Sequence, residues 1–181
     1  MSSIPGSPSG STADSIRTLD AETRLDQAPA ADHPELRLWL RLFTCSTLVE
    51  TTIRRRLRAE FGETLPRFDL LAQLAKTPAG LTLSELSKRM MVSNGNLTAL
   101  VERLVEAGSI ERRTSPTDRR AQVARLTASG RAAFRKMAAA HERWIVEMTG
   151  GLLPHETERL MELLAKWKAS ARRAFLEDTA A

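Results

Sequence analysis

The chain has 181 residues, 42% hydrophobic and 27% charged, with net charge +5, one cysteine and no tyrosine. That length suits one domain with appendages and is long enough to bury a core. A lone Cys45 excludes an intramolecular disulfide framework, and no apolar run approaches the roughly 20 residues that span a bilayer. The start, Met1-Ser2-Ser3-Ile4-Pro5-Gly6, lacks the basic and apolar segments of a signal peptide, so the expected setting is the cytoplasm.

Charge is unevenly placed. Residues 1–33 carry Arg17 and Arg24 against Asp14, Asp20, Glu22, Asp26 and Asp32, a net of −3. The remainder therefore holds 25 basic and 17 acidic groups, a net of +8. An acidic tail on a basic body points to a polyanionic partner for the body. Rich in Ser, Pro, Gly and Ala and without periodicity, 1–33 is expected to be a disordered tail.

Helical spacing begins at Pro34. Leu36, Leu40, Phe43, Ile53, Leu57 and Phe61 form one apolar stripe, and Leu38, Leu42, Cys45 and Val49 a second. Two stripes require the helix to cover two surfaces. Gly62 is placed to cap it. Pro66 opens a helix to about Lys76, and Thr77-Pro78-Ala79-Gly80 breaks it. Thr82-Leu83-Ser84-Glu85 has the form of a capping box, with Thr82 as N-cap, for a short helix ending near Met90. Ser93 caps the next, with Leu97, Leu100, Val101, Leu104 and Val105 on one face and Gly108 past its end.

Segments 109–114 and 122–126 are the only strand-like ones, and they flank a polar tip, Ser115-Pro116-Thr117-Asp118-Arg119-Arg120. Thr127 opens a helix through Phe134, Met137, His141 and Trp144, broken at Gly150-Gly151. Pro154 starts the last helix, through Trp167 and Phe175. The fold class expected is mainly α with a small β-hairpin wing: a winged helix-turn-helix lobe, 66–126, within a body spanning 34–176. Segments 34–62 and 127–176 would supply helical dimerisation surfaces, and 177–181 a short tail. Both flanking helices are apolar on more than one side, which suits a homodimer with two-fold symmetry and a palindromic duplex.

Two short helices followed by a hairpin place the second helix as the candidate reader of a DNA major groove. Its first turns display Ser93, Asn94, Gly95, Asn96, Thr98 and Ala99. Asn can bond adenine bidentately, small residues admit close approach, and Thr or Ala methyls can touch thymine. Arg112 and Arg113 on the first strand, with Arg119 and Arg120 at the tip, can enter a minor groove. Enzyme signatures are absent: there is no GxxxxGK[ST], HExxH or GxSxG, and the three histidines join no cysteine cluster. No cofactor, catalytic residue or metal ligand is expected.

The runs Leu83-Ser84-Glu85-Leu86-Ser87, Leu97-Thr98-Ala99-Leu100-Val101-Glu102-Arg103-Leu104, Asp118-Arg119-Arg120 and Leu126-Thr127-Ala128-Ser129-Gly130 resemble the MarR family of bacterial transcription regulators. The resemblance implies a homodimer built from the first and last helices, with a recognition helix and a wing on each lobe. It implies Ser93, Asn94, Asn96 and Ala99 at base edges, Arg103 near phosphate, and Arg119 or Arg120 in the minor groove. Gly95-Asn96 departs from the Ser-Thr-like pair of many members, which leaves the operator open.

A further resemblance, through the segments 38–46, 64–71 and 90–96, is to members that control aromatic-acid catabolism, some responding to hydroxycinnamoyl-CoA thioesters. It implies an effector pocket lined by Trp39, Phe43, Phe68, His141 and Trp144, with Arg37 and Arg41 near in sequence for CoA phosphates. The function expected is a repressor released by such an aromatic effector. The alternatives are a regulator responding to a free aromatic acid, a redox-responsive one using Cys45, or a non-sequence-specific architectural DNA-binding protein.

Overall fold

The computed structural model describes residues 33–114 and 122–180. The tail 1–32 and the hairpin tip, with Arg119 and Arg120, lie outside the described residues. The elements in chain order are α1 (Pro34–Phe61), α2 (Leu65–Ala75), β1 (Leu81–Thr82), α3 (Leu83–Met90) and α4 (Asn94–Glu106). They continue with β2 (Ile110–Thr114), β3 (Gln122–Leu126), α5 (Ala128–Thr149) and α6 (Pro154–Ala180).

Local chemistry accounts for the boundaries. α1 closes at Gly62 in the left-handed region, φ 67°, where the Gly62 N–H donates to the Arg58 carbonyl at 3.1 Å. A side chain is disfavoured in that conformation, so glycine suits the position. At the start of α3 the predicted capping box is present: the Glu85 N–H donates to Thr82 Oγ1 at 3.2 Å, and the Thr82 N–H donates to Glu85 Oε2 at 2.8 Å. Ser93 caps α4 by accepting from the Asn96 N–H at 3.5 Å.

The described residues divide into two compact units, 33–141 and 142–180. In the first unit, Leu57 from α1, Leu70, Leu71 and Leu74 from α2, Leu86 from α3, and Leu97, Val101 and Leu104 from α4 are buried. Burial at about 25 cal/mol per Å² of apolar surface makes this cluster the main force fixing α4 on its support.

The sheet has three strands in the order β1-β3-β2, all antiparallel. Leu81 pairs with Ala124 and Thr82 with Val123, while Ile110 pairs with Leu126 and Thr114 with Gln122. The third strand was not expected: two residues are too short for alternation to show. In the second unit α6 extends to Ala180, past the expected end near 176, and most of its residues are exposed. Among the described residues no helix is long and apolar enough to cross a membrane.

Candidate nucleic-acid interface

α4 separates its residues cleanly by face. Leu97, Val101 and Leu104 are fully buried, while Asn96, Ala99 and Arg103, at three- and four-residue spacing, are exposed together. Gly95 and Ser93 are exposed on the first turn, and Thr98 is half-buried. Asn94 is the first helical residue. The Ser93 hydroxyl accepts from the Asn96 N–H and so retains its own proton as a donor. A Cβ built on Gly95 meets nothing within 4 Å, so nothing in the chain's own packing demands glycine there.

A cavity of about 400 Å³ lies beside this face, lined by Thr64, Pro66, Met90, Val92, Asn96, Leu97, Ala99, Leu100 and Arg103. A second, of about 380 Å³, adjoins α2 and α3, where Asp69, Gln73, Lys76 and Arg89 give it a mixed polar lining.

In the wing, strand alternation sorts the arginines. Glu111 lies between Arg113, whose Nε is 2.9 Å from Glu111 Oε1, and Arg125, at 3.5 Å. Arg112 points to the other face of β2, is exposed, and has no carboxylate partner among the described residues. Periodicity alone separates Arg112 from Arg113 and puts Arg113 on the Glu111 face, but the pairing of Glu111 with Arg125 required the register.

Thr127 opens α5 as the sequence predicts, but its bonds back to the residues after α4 were not foreseen. Thr127 Oγ1 donates to the Gly108 carbonyl at 2.7 Å and accepts from the Gly130 N–H at 3.0 Å, which makes Thr127 the N-cap of α5. Its backbone N–H donates to the Ser109 carbonyl at 3.2 Å. A Cβ on Gly130 would sit 1.8 Å from that same Ser109 oxygen. The residues that follow α4 and the start of α5 are thus joined by hydrogen bonds across a contact only glycine permits.

The residues expected to meet an effector fall into separate groups. Trp39 and Phe43 stack on α1 at 5.7 Å, about half exposed, with Arg37 and Arg41 exposed on the same helix. Phe68 is buried, its ring 5.6 Å from Phe134 and 5.1 Å from His141. Trp144 is buried and lies in the second unit. Near Phe68, Asp69 has its carboxyl pushed above the ordinary 3.8 by dehydration; His141 and Arg54 pull it down and Glu50 pushes it up. Cys45 is exposed, and among the described residues no group of three acidic, His or Cys side chains could hold a metal.

Comparison with known proteins follows the same lines. The MarR family profile matches residues 61–121, from the end of α1 into the wing. The transcriptional activatory protein BadR of Rhodopseudomonas palustris is 31% identical over 56% of this chain, which spans 59% of BadR's length. The HTH-type transcriptional repressor Rv2887 of Mycobacterium tuberculosis is 32% identical, over 57% of this chain and 76% of its own. Among solved structures, the MarR family regulator Sco3205 of Streptomyces coelicolor, in complex with DNA, superposes with TM-score 0.65 at 27% identity. That match covers 77% of this chain and 92% of Sco3205. These similar proteins are transcription regulators and not enzymes. The sequence match across the helix-turn-helix and the shared fold agree: the chain belongs to the MarR family of winged-helix, DNA-binding transcription regulators.

Proposed function

We propose that the protein is a cytoplasmic, homodimeric repressor that binds a palindromic duplex and is released by a small aromatic effector, a hydroxycinnamoyl-CoA thioester. The observation that carries sequence-specific binding is α4: an exposed row of Asn96, Ala99 and Arg103 above a fully buried apolar row, with Gly95 open to solvent. Ser93, Asn94, Asn96, Thr98 and Ala99 read bases, Gly95 admits the backbone, and Arg103 holds phosphate. Arg112, Arg119 and Arg120 serve the wing in the minor groove.

Dimerisation is supported by apolar exposure. Leu38, Trp39 and Phe43 on α1, and Met161, Phe175 and Leu176 on α6, are each about half exposed or more in the single chain. Each of these exposed apolar faces is of the kind that marks an interface. Two lobes related by a two-fold axis would meet half-sites about one helical turn apart, roughly 34–36 Å.

The effector reading rests on the exposed Trp39–Phe43 stack beside Arg37 and Arg41, which offers an aromatic face and cations for an acyl-CoA. Ligand need only favour a dimer spacing that no longer fits both half-sites; about 1.4 kcal/mol of coupling lowers operator affinity tenfold. The test is release of bound DNA by p-coumaroyl-CoA, the free acid and CoA alone. Release by the thioester alone is expected. Release by the free acid at equal or lower concentration would contradict thioester specificity and assign a phenolic-acid sensor.

A further inference from the structure

We infer that Met91 is a DNA-contacting residue whose side chain, held outward by a left-handed backbone, rests on the apolar wall of the groove that α4 enters. This rests on the DNA-binding reading of α4 and adds a residue to it. Met91 ends α3 with φ 54° and ψ 38°, and among the described residues it is the sole non-glycine with positive φ. Elsewhere the same chain uses glycine for this backbone: Gly62 at 67°, Gly108 at 66° and Gly80 at 95°. A left-handed conformation crowds Cβ against the following carbonyl, so at Met91 the side chain is retained against a local penalty.

That side chain contributes nothing to packing. Met91 is 94% exposed, and the turn is held by other groups. The Met91 and Val92 N–H groups both reach the Ser87 carbonyl, and Ser87 Oγ donates to the Val92 carbonyl at 2.7 Å. Glycine would make the same backbone bonds without strain. An observed outlier with no internal purpose, two residues before the N-cap of the recognition helix, points to an external contact. The thioether arm is long, unbranched and polarisable, suited to an irregular apolar surface. On duplex DNA that surface is deoxyribose or the thymine C5 methyl.

The test uses the full chain and the duplex it selects from a randomised pool. M91G is expected to weaken binding about tenfold. Its thermal midpoint should be unchanged or higher, because strain is removed and no buried contact is lost. M91L, which keeps the apolar reach, should stay within about threefold of the native protein. Replacing thymine by deoxyuridine separates the two sources. A loss shown by the native protein and not by M91G assigns the methyl, and an equal loss in both assigns deoxyribose.

Native affinity in M91G, or a lowered midpoint, overturns the inference. Failure of the native chain to select any duplex overturns the DNA-binding reading itself and takes this one with it. A selected duplex bound equally by M91G removes Met91 alone.

Discussion

Gly95→Ala separates what the fold wants from what a groove wants. Gly95 is the second residue of α4, and an added Cβ meets no atom within 4 Å. In a helix interior alanine is favoured over glycine by about 1 kcal/mol, and in the first turn by about half that. For a chain of this size such a gain raises the thermal midpoint by about 1–2 °C. On DNA the sign reverses. If the helix backbone approaches the duplex at Gly95, a methyl there displaces each lobe, and a loss of about 1.4 kcal/mol per lobe is tenfold. A dimer engaging two half-sites would lose about a hundredfold. Thermal unfolding and fluorescence-anisotropy titration of one preparation measure both quantities. A more stable G95A that binds the selected duplex as tightly as the native chain would refute close approach and leave Gly95 as a merely tolerated residue.

Further outcomes are expected. Asn96→Ala should relax preference at particular base pairs, by about 1–3 kcal/mol each, whereas Arg112→Ala should weaken all sequences alike and lower the salt slope by about one contact per lobe; competition binding over several salt concentrations distinguishes them. Gly130→Ala would place a Cβ 1.8 Å from the Ser109 carbonyl oxygen, so the backbone there must shift by more than 1 Å. A loss of about 3 kcal/mol, or roughly 6–12 °C in midpoint, is expected by thermal denaturation. Glu85 is held below its ordinary 4.5, first by the Thr82 backbone N–H and then by the Thr82 hydroxyl. A depressed carboxylate stabilises the fold above its unfolded value and loses that contribution as pH falls through the folded one. The native chain should therefore lose stability relative to Glu85→Gln below about pH 4.5, measured by urea unfolding across that range.

The parts of the fold that were legible are those set by local chemistry. Thr82 with Glu85, Ser93, Gly62 and the prolines at 66 and 154 mark boundaries through hydrogen bonds and dihedral limits that act within a few residues. What escaped depends on distant partners. β1 exists because Leu81 and Thr82 meet Ala124 and Val123, more than 40 positions away, and no two-residue pattern announces that. The Thr127–Gly108 bond and the Gly130 contact likewise need the residues that follow α4 brought against the start of α5.

The candidate site divides the same way. Exposure of Asn96, Ala99 and Arg103 follows from helical period, but the second arginine on Glu111, Arg125, follows from the register of β2 against β3. Aromatic residues on helices gave no means to separate the exposed Trp39–Phe43 stack from the packed Phe68–His141 pair. Met91 escaped because a backbone dihedral is not written in residue type: the end of the helix near Met90 is legible, the left-handed residue that follows it is not.

Selection of duplexes from a randomised pool by the full chain, with the mass of the resulting complex, tests the central claim most directly. The account predicts one enriched inverted repeat, half-sites about one helical turn apart, bound by two chains per duplex. Binding to all sequences alike, with affinity set by salt alone, or one chain per enriched site, would contradict it.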